Sequence, residues 1–288
     1  MALIAEDYVV SMRMRRHMNE PNASLTYDVM TGKVCADLSI LGASRVASGC
    51  NTCVMDSILH AETYALGLFG SDFKSQYLLW KMYLAHNPKP RTVIKFVDHK
   101  LLDAGHPFGN RHYYPWFWNA GFRRSAEVSG LFSWQELTVP MWRYRGLFGR
   151  WSPFEDLPSL RKGFAPKEMT YHARDTVYVR FHENAGTASQ FDEFLSAAES
   201  RSIDVVFVYP PLYRETYRFA EGEYERFHNY FDSIAVSRHI PVLDYSKTEL
   251  CSDSTFFFDH GHLNPLGARI FSDSLSHDLL KYGVLDKH

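Results

Sequence analysis

The chain has 288 residues and a formal net charge of −2 at pH 7, and it is long enough to bury a full hydrophobic core. This near-zero charge balance comes without long runs of like charge, so electrostatics give no reason to expect a nucleic-acid partner. Four cysteines are too few to form a disulfide framework in a chain of this size.

Residues 1–33 are expected to form an N-terminal arm ahead of the main domain. Glu6 and Asp7 interrupt the only apolar run of this arm, so it has neither the apolar centre of a signal peptide nor a membrane-spanning length. No later segment approaches about 18 uncharged apolar residues. We expect a soluble protein without a transmembrane segment, cytoplasmic by default, while the compartment and any anchor or leader upstream of Met1 stay open.

The first predicted strand covers residues 36–42 (ADLSILG) and ends in a turn that contains Ser44. Gly42 and Ala43 are small enough for the backbone to turn sharply, so the Ser44 hydroxyl can stand exposed at the carboxyl end of the strand. Backbone amides in such a turn can face a developing oxyanion. Ser44 is therefore a candidate nucleophile, and the alternative interpretation is an ordinary turn or capping serine.

A segment rich in aromatic and arginine residues follows the next predicted strand, residues 92–97 (TVIKFV). Five of the six tryptophans lie between residues 106 and 154, without a clear helix or strand period. We interpret residues from about 104 to 170 as an insertion over the active-site end of the sheet. Trp116, Trp118 and Arg111 are candidate substrate-binding residues, since aromatic faces stack on sugar rings and arginine donates forked hydrogen bonds; a hydrophobic cluster under long loops is the alternative.

The C-terminal half alternates apolar runs with helical patterns. Its β-branched, non-alternating runs suit strands that are buried on both faces. The alternation predicts an α/β fold, with a doubly wound, mainly parallel sheet between helices, in a single domain over residues 1–288. Ligands in such sheets bind at the carboxyl ends of the strands. The predicted strands are 176–181 (TVYVRF), 204–210 (DVVFVYP) and 241–245 (PVLDY), and the helical patterns lie at 191–198 and 224–236.

The last motif reads FFFDHGHLNPLGARI over residues 256–270. Asn264 as N-cap and Pro265 at the first helical position predict a helix from about 265 to 281. Asp259 and His262 lie in the connection before it, close enough for the carboxylate to reach the imidazole. A carboxylate on one ring nitrogen fixes the tautomer and leaves the other nitrogen free as a general base.

Together, LGASR with Ser44 and DHGHLNPLGARIFS with Asp259 and His262 resemble the SGNH (GDSL-like) hydrolase superfamily. Its members place the nucleophilic serine after the first strand and an Asp-x-x-His motif before the last helix. DVVFVYPP and PVLDYS resemble the C-terminal half of the family, so the resemblance covers roughly residues 36–280. It implies a flavodoxin-like three-layer fold and a Ser44–His262–Asp259 triad that needs no metal or organic cofactor.

The resemblance also implies an oxyanion hole. The backbone N–H of Ser44 and that of Gly70, or alternatively Gly67, would be two of its donors. The family's remaining donor is an asparagine after the next strand, but here that strand is followed by Asp98 and His99. His99 is therefore a further candidate donor, and loss of one donor costs about a hundredfold or more in rate.

The GASR form, in place of GDSL, and the HLNPLGA ending are most similar to superfamily members associated with bacterial surface polysaccharides. The resemblance thus implies removal or transfer of O-acyl groups, acetyl in particular, on a carbohydrate or a small ester.

Two alternatives from other classes stay open. The absent asparagine and the aromatic insertion would also suit a catalytically weak or inert carbohydrate-binding protein on the same fold. Asp259, His260 and His262 could instead ligate zinc in a metallohydrolase, since His-x-His with a carboxylate is a plausible ligand set. The histidines that could complete such a set are His99, His106 and His112.

Overall fold

The computed structural model describes residues 1–18, 20–104, 110–145 and 160–285. A five-stranded, fully parallel sheet in the order β2-β1-β3-β5-β7 forms its centre. Two-stranded sheets β4-β6 and β8-β9 lie outside it. The strands are β1 (Leu38–Ala43), β2 (Thr63–Leu68), β3 (Thr92–Phe96), β4 (Val177–Val179), β5 (Asp204–Tyr209), β6 (Tyr217–Phe219), β7 (Val242–Asp244), β8 (Phe257–Asp259) and β9 (His262–Leu263).

Helices cover both faces of the central sheet and complete three layers. Neighbouring strand residues point to opposite faces, so Ile40 packs in the core under α3, α4 and α10, while Leu41 packs in the core shared with α2, α5, α8 and α9. The predicted α/β class with a mainly parallel sheet is confirmed. The helices are α1 (Ala2–His17), α2 (Pro21–Met30), α3 (Ser44–Gly49), α4 (Thr52–Leu59), α5 (Phe73–His86), α6 (Ala120–Ser129), α7 (Trp134–Thr138), α8 (Ala185–Glu199), α9 (Glu223–Ser237) and α10 (Pro265–Lys281).

Strand order reverses beside β1, because β2 lies on one side of it and β3 on the other. The crevice outside the carboxyl ends of the strands at such a switch point is where ligands bind in open α/β sheets. Ser44 directly follows β1 and Asp98 closely follows β3, so both residues lie at this crevice.

The final helix begins as its sequence predicts. The Asn264 side chain accepts hydrogen bonds from the backbone N–H groups of Leu266 and Gly267, both at 3.0 Å, and Pro265 occupies the first helical position. This cap satisfies two amides that have no partner within the helix. It fixes where the chain leaves the Asp259–His262 turn and enters α10.

Two expectations about strands were wrong. Residues 176–181 do not form a central strand, because β4 pairs only with β6 and Tyr178 is 66% exposed. The sequence reading also missed β2, whose six residues are all buried at one edge of the central sheet.

The N-terminal arm and the insertion are more regular than expected. Residues 1–33 contain α1 and α2, and the described part of the insertion contains α6 and α7 with two short 3₁₀ helices. Asp7 of α1 is 1% exposed and pairs with Arg143, while it accepts hydrogen bonds from Trp118 Nε1 at 2.8 Å and from the Met141 backbone at 2.7 Å. The arm and the insertion thus share one buried polar anchor.

Within the described ranges, none of the helices combines the length and the apolar composition needed to cross a bilayer.

Candidate active site

Ser44 is the first residue of α3 and follows directly on β1. Two glycines allow α3 to lie this close to the sheet. A Cβ on Gly42 would come within 2.5 Å of Val46, and one on Gly67 would come within 2.3 Å of the Ala47 backbone nitrogen. Gly67 therefore has a packing role inside the buried strand β2, where it is paired with Gly42, and its role as an oxyanion donor stays a prediction.

The structure brings the Ser44 side chain to the Asp-x-x-His turn. Ser44 Oγ lies 2.7 Å from His262 Nε2, although the two residues are 218 positions apart in the chain. His262 Nδ1 lies 2.8 Å from Asp259 Oδ1. The three side chains thus form a continuous chain of hydrogen bonds, in which the Nδ1–H donor to the carboxylate leaves Nε2 able to accept from the serine hydroxyl.

Asp259 is held in its ionised form. Burial raises its pKa, but hydrogen bonds from His262 and from the backbone outweigh burial, and together they hold the pKa well below its ordinary value. The backbone donors are the N–H groups of Gly261 at 2.8 Å and His262 at 3.0 Å, both to Oδ1. The carboxylate is therefore already present and oriented at neutral pH.

A cavity of about 390 Å³ opens at Ser44 and His262, on the carboxyl side of the sheet. Gly70 lies on its wall with a φ of +63°, and an added Cβ at that position would meet nothing within 4 Å. The position therefore needs glycine for its backbone conformation rather than for space. Gln76 and Tyr217 line the same cavity.

His99 lies behind this cavity rather than on its wall. Its ring is 3% exposed and packs edge-on against Tyr217, whose hydroxyl lies 3.2 Å from His99 Nε2. Burial lowers the pKa of His99 to about 3, so the ring stays neutral. The structure does not bring His99 to the position of an oxyanion donor, because Tyr217 lies on the cavity wall in front of it.

The sequence did not predict a partly buried ionic cluster beside Ser44. Arg45 contacts Asp98 with Nη1 at 3.1 Å, Tyr217 Oη with Nη2 at 3.0 Å and the Gly261 carbonyl with Nε at 3.1 Å. Burial lowers the pKa of Arg45, but Tyr217 and Asp98 outweigh burial and raise this pKa above its ordinary value. The sequence contained two separate signs of it, the GASR form in place of GDSL and Asp98 after the strand where the family has an asparagine.

The predicted substrate-binding residues are not part of this cavity as described. Trp116 is 5% exposed in the core and lies under Arg15, whereas Trp118 packs against Tyr8 of α1 and hydrogen-bonds Asp7. Arg111 is exposed in a 3₁₀ helix and is not among the residues that line the cavity. The described insertion packs on α1, α2 and α5, since its aromatic residues complete that core instead of forming a cleft.

Part of the insertion prediction concerns residues 105–109 and 146–159, which lie outside the described residues, as does His106. Among the residues that are described, no three His, Cys, Asp or Glu side chains converge as a metal site. Asp259 already binds His262 Nδ1, and the His260 ring packs against Tyr217. These contacts give no support to the zinc alternative.

Comparison with known proteins finds no matching family model and no matching curated protein. Fourteen chains of known structure are similar to this one, and they include the following two. One, from Desulfitobacterium hafniense, is described as a lipolytic protein of the G-D-S-L family; it has 14% identity and a TM-score of 0.45, over 83% of this chain and 97% of that one. The other, described as an acylhydrolase from Bacteroides fragilis, has 10% identity and a TM-score of 0.43, over 86% of this chain and 87% of that one.

Proposed function

We propose that this protein is a serine ester hydrolase or O-acyltransferase in which Ser44 is the nucleophile. The observation that carries the proposal is the chain Ser44 Oγ, His262 and Asp259, with separations of 2.7 and 2.8 Å. Both contacts lie within the range at which a general base takes the proton of a nucleophile and is itself oriented by a carboxylate.

In the first half of the reaction, Ser44 Oγ attacks the ester carbonyl carbon while its proton moves to His262 Nε2. The imidazolium that forms is stabilised by the Asp259 carboxylate. When the tetrahedral adduct collapses, the carbon–oxygen bond to the alcohol breaks and His262 returns the proton to the leaving oxygen. In the second half, water or a sugar hydroxyl attacks the acyl-serine by the same route and releases Ser44.

The tetrahedral oxyanion needs donors at the cavity wall. We assign this role to the backbone N–H groups of Ser44 and Gly70, because Ser44 begins a helix and Gly70 lies at the same cavity. Asp98 cannot replace the family asparagine as a donor, since it carries a carboxylate whose pKa is held low, against the effect of burial, mainly by Arg45.

The substrate proposed is an O-acetylated carbohydrate or a small acetyl ester. A cavity of about 390 Å³ suits a short acyl group with part of its alcohol. The carbohydrate alcohol rests on the resemblance of GASR and HLNPLGA to polysaccharide-associated members.

Turnover of p-nitrophenyl acetate by the wild type, Ser44→Ala and Ser233→Ala tests the proposal. Ser233 lies exposed on α9 and serves as the matched serine control. The wild type and the control should hydrolyse the ester at the same rate. The rate of Ser44→Ala should be lower by about a thousandfold or more. Adding glucose as an acceptor and looking for acetylglucose by mass spectrometry separates transfer from hydrolysis.

Two results would contradict the proposal. Equal background rates for the wild type and Ser44→Ala would favour a carbohydrate-binding protein. Activity that survives Ser44→Ala, disappears with a chelator and returns with zinc would favour metal-dependent hydrolysis.

A further inference from the structure

The residue after Ser44 connects the serine segment to the histidine turn. The Arg45 side chain is 15% exposed, and its guanidinium reaches three acceptors: the Gly261 carbonyl, the Tyr217 hydroxyl and the Asp98 carboxylate. We propose that Arg45 is a positioning residue that fixes the Gly261 peptide and thereby aims His262 at Ser44, an inference that rests on the proposed function.

The peptide unit between Gly261 and His262 is held from both ends. Its carbonyl oxygen accepts from Arg45 Nε at 3.1 Å, and its N–H donates to Asp259 Oδ1 at 3.0 Å. Rotation of this peptide would move the His262 backbone away from its place. Since a misplacement of about 1 Å can lower a rate by about a hundredfold, the Arg45 contact bears directly on proton transfer.

Arginine is required by the directions of the three acceptors. A planar guanidinium donates in several fixed directions at once, whereas a lysine ammonium is a compact point charge that cannot span the three. Asp98 supplies the opposite charge that a buried cation needs, at 3.1 Å. The two departures from the family pattern, Arg in GASR and Asp in place of asparagine, therefore contact each other and act together.

The space around Gly261 fits this interpretation. A Cβ added to Gly261 would lie 3.4 Å from Arg45 Nη2 and 3.8 Å from Asp259 Oδ1. The turn thus lies directly against the guanidinium.

The test compares Arg45→Met and Arg45→Lys with Arg123→Met, whose arginine is exposed and pairs with Glu127 on the same helix. The ring-nitrogen shifts of His262 in ¹⁵N-histidine spectra, assigned with His262→Gln, report its tautomer without requiring turnover. The values of kcat and KM on p-nitrophenyl acetate report the chemical step. Arg45→Lys keeps a cation beside Asp98, so this variant can still be measured if Arg45→Met does not fold.

Both Arg45 variants should lower kcat by about ten- to a hundredfold, change KM by less than about twofold and reduce the fraction of His262 in the Nδ1–H form. Arg123→Met should match the wild type in all three. An Arg45→Lys protein with wild-type kcat and wild-type His262 shifts would overturn the proposal. A wild type without turnover would instead contradict the proposed function, and the shifts would still test the role of Arg45.

Discussion

Asp259 Oδ1 accepts three hydrogen bonds from a single turn: one from His262 Nδ1 and two from the backbone N–H groups of Gly261 and His262. One carboxylate oxygen therefore fixes both the ring and the backbone of the histidine. Such a carboxylate has two functions in a triad, to hold the tautomer and to stabilise the imidazolium.

Asp259→Asn should lower kcat by about a hundred- to ten-thousandfold, because an amide cannot stabilise the imidazolium and can favour the wrong tautomer. Steady-state hydrolysis of p-nitrophenyl acetate measures this. Asp253→Asn, at a nearby fully exposed cap, is the matched control and should leave kcat unchanged. An Asp259→Asn enzyme with wild-type kcat would show that the carboxylate has no part in catalysis.

Gly70→Ala should lower kcat by about tenfold or more, since the left-handed φ of +63° costs a non-glycine residue about 1–2 kcal/mol and relaxation would turn the N–H away. Gly222→Ala is closely matched, with a φ of +73° and open space around its Cβ, but at the start of α9. Both variants should lose similar stability in thermal unfolding. Equal kcat values for the two variants would show that the Gly70 N–H is not an oxyanion donor.

Asp7→Ala should release α1 from the rest of the protein, because it leaves Arg143 buried without its partner and removes the acceptor for Trp118. Breaking one side of a buried pair costs about 3–5 kcal/mol. Hydrogen exchange of the α1 amides should accelerate strongly in Asp7→Ala. In the control Glu6→Ala, which changes the exposed neighbouring residue, the same amides should exchange at the wild-type rate. Unchanged protection in Asp7→Ala would mean that the anchor does not hold the helix.

Stability should fall in acid partly because of His99. Its pKa is lowered to about 3 in the folded protein, against about 6.5 when unfolded, so below pH 6.5 the unfolded chain binds a proton that the folded one does not. The contribution of the neutral ring is complete above pH 6.5 and is lost as the pH falls toward 3. Urea unfolding should therefore show a steeper acid loss for the wild type than for His99→Phe.

The control for this pH series is His277→Phe, at an exposed position on α10. It should keep the wild-type slope between pH 6.5 and 4. Identical slopes for His99→Phe and the wild type would contradict burial of a neutral imidazole at position 99.

The parts of the site that the sequence predicts are those with local signals. Ser44 follows an apolar strand and two small residues, and Asp259 and His262 precede an Asn264–Pro265 helix start whose cap is visible in the sequence alone. The rule that ligands bind at the carboxyl ends of parallel strands predicts the place of Ser44. The convergence of Asp259 and His262 on it was implied only by the family resemblance, because β8 and β9 lie outside the central sheet.

The rest depends on contacts between distant segments. Arg45 contacts Asp98, Tyr217 and Gly261, which follow β3, lie in β6 and belong to the last turn before α10. These segments are far apart in the chain, so no sequence spacing predicts the contacts. A tryptophan such as Trp118 can line a binding cleft or donate a buried hydrogen bond, as it does to Asp7, and the sequence does not distinguish the two. For the same reason TVYVRF, with full strand propensity, could not be told from a central strand, because its partner β6 is about forty residues away.

The central claim is that Ser44 is a nucleophile activated by His262. A fluorophosphonate with peptide mass spectrometry tests it most directly, since the reagent adds covalently to an activated serine. We expect one adduct on Ser44, absent in Ser44→Ala and formed at least about a hundredfold more slowly in His262→Gln. No adduct on Ser44 in the folded wild type, or labelling that is as fast without His262, would contradict the claim.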